Sequence, residues 1–225
     1  MMKILDRPVW NALTTRHAHL AEGDGQALRY PASIIPFAAM RDADARSGQS
    51  LAEMLRPGDT VMLVEHAPII VPEKLEILKR ARITQMVGAV AFEPVPDERV
   101  SRLGPGDAED MLELALLTRP GPFSLHAQTL GPFWGVRVDG RLAAMAGQRM
   151  HVDGFVELSG LCTHPDYRGQ GLGGLLLRFV AGAIAAGGGE VFLHTYADNM
   201  AAIRLYEGLG FRRRIDLDSC LVERR

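Results

Sequence analysis

Hydrophobic and polar residues alternate most regularly in the second half of the chain. Three such runs, Trp134–Val138, Leu142–Met150 and Phe155–Thr163, are separated by Asp139-Gly140 and by Val152-Asp153-Gly154. Alternation with a period of two is typical of strands with one buried face, and Asp-Gly favours a tight hairpin turn. The pattern therefore predicts three consecutive antiparallel strands.

The elements around these strands follow from breaks in the same pattern. Asp107 is in position to cap a helix that ends before Pro120, and Asn199 is in position to cap another. The third strand leads into a glycine-rich stretch and then an apolar helix that begins near Leu175. The remaining predictions are strands at Arg99–Leu103, Val191–Tyr196 and Phe211–Val222, and a helix from Asn199 to Glu207.

The first half of the chain gives a mixture of helix and strand signals. Predicted helices cover Pro8–Leu20, Leu51–Leu55 and Glu73–Lys79, and predicted strands lie at Thr60–Val64 and within Ile83–Phe92, with residues 23–36 irregular. The proline-rich run Glu93–Asp97 then interrupts the pattern. We place a domain boundary there, with an α/β domain over residues 1–96 and a second domain over residues 97–225.

Four glycines fall within the six residues Gly169–Gly174, directly before the apolar helix. Glycine lets a backbone approach a ligand closely, and the free N–H groups of a helix N-terminus favour an anion, so this stretch predicts a phosphate-bearing ligand. The residues also match G-x-G-x-x-G, with Asp198 at a suitable distance for a dinucleotide site. Against that reading, His164–Arg168 separate the strand from the glycines, and only 29 residues follow Tyr196. The glycines are not followed by Lys-Ser or Lys-Thr, which argues against a Walker loop.

A different template, Arg/Gln-x-x-Gly-x-Gly/Ala after a strand, fits Arg168, Gly171 and Gly173. Together with Asn199, Tyr206 and Gly210-Phe211, the stretch resembles the GNAT superfamily of acyl-CoA N-acyltransferases, over roughly residues 97–223. The resemblance implies an α/β (α+β) fold with a mixed central sheet flanked by helices. An extra α/β half in front of such a unit is similar to glycine N-acyltransferase-like members. That half is either a degenerate copy of the fold or an unrelated lid or dimerisation domain.

The resemblance also implies which residues hold the co-substrate, acetyl-CoA or another acyl-CoA. The strand before the glycines should separate from its neighbour and leave free backbone groups for the pantetheine arm. The expected cofactor-binding residues are Leu161, Cys162, Thr163, Arg168, Gly169, Gln170, Gly171, Leu172, Gly173, Gly174 and Asn199.

Tyr206 and Glu157 are the expected catalytic residues. Tyr206 lies seven residues after Asn199, on the same helix face, and the family's tyrosine at this position protonates the leaving thiolate. Glu157 lies eleven residues before Arg168, which matches the general base of some histone-acetylating relatives, and strand alternation puts it on a face with Leu161. The alternatives for the base are a histidine or water; we expect His164 to cap the strand end and His194 to be a core residue.

Composition narrows the remaining possibilities. The 225 residues carry a net charge of -2, with 47% apolar and 23% charged residues, so nucleic acid and membrane are not expected partners. The two cysteines lie far apart in sequence, which leaves a disulfide open but favours buried free thiols. The absence of a secretory signal and of an apolar run of membrane-spanning length leads us to expect a cytoplasmic protein. We expect no metal site, and a monomer or homodimer that acylates a small-molecule or peptide amine. The alternative function is a non-catalytic acyl-CoA sensor.

Overall fold

The computed structural model describes residues 2–225. The α-helices are α1 (Pro8–Thr14), α2 (Ala45–Met54), α3 (Ala108–Thr118), α4 (Leu172–Ala186) and α5 (Met200–Gly208). The strands in the first half are β1 (Glu22–Gly23), β2 (Ala27–Arg29), β3 (Ala38–Met40), β4 (Thr60–Glu65) and β5 (Leu75–Gly88). Those that follow are β6 (Val100–Leu103), β7 (Phe133–Val138), β8 (Arg141–Val152), β9 (Phe155–Thr163), β10 (Glu190–Tyr196) and β11 (Phe211–Arg224).

Eight strands form one mixed sheet in the order β4-β11-β5-β10-β9-β8-β7-β6. Strands β6 to β9 are the predicted meander, extended by one strand, and β10 pairs with β9 in parallel. Every other pairing in the sheet is antiparallel. This confirms the expected fold class, a mixed central sheet flanked by helices.

The sheet continues across the boundary that the proline-rich run suggested. Strands β4 and β5 precede residue 96, yet β11 lies between them and β10 pairs with β5. The hydrophobic core is shared in the same way, since Leu5, Val9 and Tyr30 pack in one cluster with Phe155, Phe192 and Leu217. Residues 93–97 are therefore a loop that connects two strands of one sheet, and they do not separate two cores.

Different helices pack on the two faces of the sheet. Helix α4 packs on β8, β9 and β10, and its leucines share a cluster with side chains such as Ala144, Leu158 and Leu193. The opposite face carries α1, which packs against β8, and α3, which packs against β8 and β9. Because neighbouring strand residues point to opposite faces, Phe192 joins the cluster on the α1 side while Val191 and Leu193 join the one under α4.

Several local predictions were wrong. Glu73–Lys79 is not a helix: it contributes the start of β5, whose residues 76–80 are exposed while the strand pairs with β11. The first helix ends at Thr14 rather than Leu20, and residues 22–40 contain the small sheet β1-β2-β3. Within residues 2–225, no helix is long and apolar enough to cross a membrane.

Candidate active site

A gap opens in the sheet between β9 and β10. The two strands pair only from Phe155 to Glu157, opposite Glu190–Phe192. Beyond this point β9 pairs with β8 alone, while the residues from His194 to Tyr196 pair with β5. The edge of β9 from Leu158 onward therefore keeps backbone groups that no neighbouring strand uses. This is the separation that the family resemblance implied.

A bulge in β9 changes the direction of the side chains along this edge. Gly160 has φ +64, a left-handed conformation that favours glycine, and the register with β8 shifts next to it. Leu161 consequently packs with the cluster under α4, whereas Phe155 packs in the cluster on the opposite face. Glu157 lies two residues after Phe155, before the bulge, and so points to the same face as Phe155. The expectation that Glu157 and Leu161 share a face was wrong because simple alternation does not survive the bulge.

The glycine-rich stretch forms the turn that begins α4. Gly169 and Gly171 have φ +77 and +75, and Gly171 is the N-cap. The first helical hydrogen bond runs from Leu175 N to Gly171 O, so the N–H groups of residues 172–174 have no acceptor within the helix. Added Cβ atoms on Gly169 and Gly171 would meet no protein atom within 4 Å. The turn is thus an open helix N-terminus, suited to an anion.

One cavity of about 620 Å³ runs along this gap. Of the predicted site residues, it is lined by Leu161, Cys162, Thr163, Arg168, Gly173, Asn199 and Tyr206. Gly169, Gln170, Gly171, Leu172, Gly174 and Glu157 are not among the lining residues, and the Leu172 side chain lies in the core. For the glycine turn, any contact with a ligand thus falls to backbone N–H groups.

Helix α5 contributes Asn199 and Tyr206 to the cavity. The Asn199 side chain accepts a hydrogen bond from Ala202 N at 3.1 Å, which confirms it as the N-cap. Tyr206 is partly buried beside Phe211, and burial raises the pKa of its hydroxyl. The phenol is therefore protonated at neutral pH and can donate a proton.

The two cysteines are buried and free, as the composition predicted. Burial raises the pKa of the Cys162 thiol to about 11, although the hydroxyl of Thr118 and the backbone of Met145 interact with it. A protonated thiol is a poor nucleophile. Cys162 therefore contributes backbone and shape to the cavity wall.

Glu157 is fully buried behind the cavity wall. Its carboxylate accepts hydrogen bonds from Arg149 Nε at 2.8 Å and Arg149 Nη2 at 2.6 Å, and it lies 2.7 Å from His194 Nδ1. Burial by itself would raise the pKa of Glu157, but the charge and hydrogen bonds of Arg149, together with His194, outweigh it and hold the pKa well below the usual range. The group is a buried anion that is already fully paired.

The neighbours of His194 fix its tautomer. Gln85 accepts from Arg214 Nη1 at 2.8 Å through its oxygen, and its amide nitrogen donates to Leu5 O and to His194 Nε2, each at 2.9 Å. His194 Nε2 is then an acceptor, and Nδ1–H donates to Glu157. The prediction that His194 is a satisfied core histidine is correct, although its ring also reaches the cavity wall.

Other cavity residues were missed by sequence reasoning. Arg149 lies on β8, and Phe37, Met62, Val64 and Ile83 come from the first half of the chain. Arg149 was the next-to-last residue of the predicted strand Leu142–Met150, so its burial had no local signal. The apolar residues reach the cavity only because β4 and β5 join the same sheet.

Among histidines outside the cavity, His164 accepts a hydrogen bond from Asp166 N at 3.2 Å and so caps the turn after β9, as expected. His17 is buried and bonded to Tyr30, and residues 2–225 contain no cluster of three or more metal-ligating side chains.

Comparison with known proteins agrees with this geometry. Residues 134–221 match the family model of FR47-like proteins. A crystal structure from Novosphingobium aromaticivorans DSM 12444, assigned as an acetyltransferase from the GNAT family, is 39% identical, with a TM-score of 0.92 and 98% coverage of both chains. The chain belongs to the GNAT family. This GNAT similarity includes the first half of the chain as well as residues 97–225.

A GCN5-related N-acetyltransferase from Kribbella flavida shares the GNAT fold at 18% identity, with a TM-score of 0.61 over 96% of this chain and 95% of its own. A protein from Staphylococcus epidermidis ATCC 12228 shares it at 13% identity, with a TM-score of 0.57 over 91% and 93%. A search of curated proteins found no match.

Proposed function

We propose that this GNAT protein transfers an acetyl group from acetyl-CoA to a primary amine. One observation carries the proposal: the unpaired edge of β9 and the open N-terminus of α4 lie along the same cavity. Amides of a pantetheine arm can pair with the edge at Leu161–Thr163, and a pyrophosphate can bind the N–H groups of residues 172–174. Arg168, at the same end, would add a positive charge.

The reaction needs an attacking amine and a protonated leaving group. The amine nitrogen bonds to the thioester carbonyl carbon, the C–S bond breaks, and the thiolate takes a proton. Tyr206 is our candidate for this proton donor, because it lines the cavity as a neutral phenol. The proton that the amine loses then restores the tyrosine, directly or through solvent, so that each turnover is balanced.

Glu157 does not suit the role of general base that the sequence suggested. A base must be able to take a proton near neutral pH, whereas this carboxylate has a lowered pKa and its oxygens bind Arg149 and His194. His194 is also occupied at both ring nitrogens. We therefore propose that Glu157 positions its neighbours and that the amine proton leaves to water.

The test is release of free CoA, followed with a thiol reagent, over a panel of primary amines with acetyl-CoA. Amine-dependent CoA release and a matching N-acetylated product in the mass spectrum would support the proposal. Tight acetyl-CoA binding without turnover of any amine would instead indicate a non-catalytic acyl-CoA-binding protein. The absence of CoA binding by calorimetry would refute both functions.

A further inference from the structure

Arg149 is held on two sides and open on a third. Its Nε and Nη2 atoms form the bidentate pair with Glu157, and its guanidinium carbon lies 5.1 Å from the centre of the Phe37 ring. Among residues 2–225, Nη1 has no hydrogen-bond acceptor, and a Cβ built on Gly121 would lie 3.9 Å from it. Arg149 and Gly121 both line the cavity. The free edge of the guanidinium thus belongs to the cavity wall.

The support behind Arg149 is buried and hydrogen-bonded on several sides. Glu157 is 0% exposed, and besides Arg149 it binds His194 Nδ1 and receives a longer contact of 3.4 Å from Met150 N. A buried ion pair of this kind is rarely more stabilising than apolar residues of the same shape, so stability alone gives little reason for it. What the pair does provide is a planar, pre-oriented donor, and a fixed guanidinium matches the geometry of a carboxylate.

The charges and the shape of the cavity favour the same ligand. Its charged lining residues are Arg119, Arg149 and Arg168, with no aspartate or glutamate among the described lining residues. Arg168 lies at the glycine turn, whereas Glu157, which holds Arg149, precedes Leu161 by four residues and lies at the other end of the gap, where β9 still pairs with β10. Arg149 is therefore beyond the predicted position of the pantetheine amides. Phe37, Met62, Val64 and Ile83 add an apolar wall to the cavity.

We propose that Arg149 binds a carboxylate of the acceptor amine, and that the acceptor is an amino acid with an apolar side chain. This inference rests on the proposed acyl transfer. The free Nη1 edge receives the carboxylate, the apolar wall receives the side chain, and the amine faces the end of the acyl arm. Glu157 is a positioning residue that acts through Arg149.

The experiment compares acceptors that differ only in the carboxylate. L-Phenylalanine, L-phenylalaninamide and phenethylamine are assayed with acetyl-CoA, and kcat/KM is measured at a pH that gives each the same fraction of free amine. We expect the wild-type protein to prefer phenylalanine by roughly 10- to 100-fold, the usual range for hydrogen bonds to a charged group. Acetylation of the three amines at equal efficiency overturns the inference while leaving acyl transfer intact.

Variants of the charged residues test whether Arg149 causes the preference for an acceptor that carries a carboxylate. Arg149→Met combined with Glu157→Gln removes both charges of the buried pair, and it should abolish the preference without changing the affinity for CoA. Arg149→Lys keeps the positive charge but loses the planar set of guanidinium N–H donors, and it should keep only part of the preference. Arg119→Met removes an exposed arginine of the cavity rim and should retain the full preference. Loss of the preference in Arg119→Met, or its persistence in the double variant, overturns the assignment to Arg149.

Two further measurements cover the cases in which no amine is acetylated and in which the carboxylate belongs to the acyl group. If none of the amines is acetylated, calorimetry of CoA-saturated protein with N-acetyl-L-phenylalanine and with its amide tests the same site. Tighter binding of the acid, lost in the double variant, supports the inference, and equal binding overturns it. The carboxylate could also arrive on the acyl group, so succinyl-CoA is compared with acetyl-CoA on phenethylamine. Faster transfer from succinyl-CoA that depends on Arg149 would overturn the assignment to the acceptor.

Discussion

Acid should destabilise this protein through His17 more strongly than through any exposed histidine. His17 is 4% exposed, and its Nδ1 is 2.8 Å from the Tyr30 hydroxyl. Burial, with His151 and His19 nearby, lowers the pKa of His17 from 6.5 to about 4, against a hydrogen bond to the backbone of Leu130 and the charge of Glu157. The folded protein therefore keeps this imidazole neutral at a pH where the unfolded chain protonates it.

The direction and size of the change in the free energy of unfolding follow from this difference in the pKa of His17 between the folded and unfolded states. Below pH 6.5 His17 is protonated in the unfolded state, whereas in the folded state it stays neutral down to about pH 4. The free energy of unfolding therefore falls as the pH is lowered from 6.5 to about 4, and it levels off below that. A difference of about 2.5 pKa units corresponds to about 3 kcal/mol. Burial also lowers the pKa of His151, which adds a loss of the same sign.

Urea unfolding at pH 7.0 and pH 4.5 isolates the contribution of His17. His17→Gln removes the titration and keeps a side-chain donor for Leu130. The variant is expected to be less stable at pH 7.0, but its loss of stability between the two pH values should be smaller than that of the wild type by about 2 kcal/mol. His126→Gln, at an exposed histidine, should keep the wild-type loss. Equal losses in the wild type and His17→Gln would refute the reasoning.

Four further outcomes are expected. Tyr206→Phe should change CoA affinity by less than about tenfold but lower kcat by roughly 10²-fold, measured by calorimetry and CoA release; an unchanged kcat would make Tyr206 a packing residue. Gly173→Val should abolish CoA binding in a folded protein, whereas Gly173→Ala should keep it, as should the control Gly208→Val outside the cavity. Glu157→Gln should lower kcat/KM without altering its pH profile; a loss that shrinks at high pH would restore Glu157 as the base. Asn199→Ala should reduce the free energy of unfolding by about 1 kcal/mol in urea titrations, and no change would contradict its role as a cap.

Predictions from the sequence were most accurate for features that are determined by residues adjacent in the chain. The end of β9 at Thr163, the glycine turn and the Asn199 cap all follow from residues adjacent in the chain, and the structure places them as expected. The start of β5 was mistaken for a helix because Glu76, Lys79 and Arg80 suit an exposed helix face as well as an exposed strand. Only pairing with β11, more than 100 residues away, decides between them.

The environment of Glu157 was beyond prediction for a related reason. Its identity as a buried, paired anion depends on Arg149 across a register shift in β8 and β9, and on His194 from β10. The bulge at Gly160 then reverses the faces that simple alternation assigns. Sequence spacing reports neighbours within an element, whereas the low pKa of this carboxylate on β9 comes from side chains on two other strands, β8 and β10.

The position of β11 has a consequence for how the chain acquires its structure. Strand β4 is complete by residue 65, but its partner in the sheet is β11, which begins at Phe211 and also pairs with β5 along its whole length. During synthesis, β4 and β5 therefore cannot pair with β11 until most of the chain has been made. Such distant pairing makes folding slow, and it leaves β4 and β5 available for contact with other molecules in the interval. Assembly of this protein in the cell thus depends on its final strand.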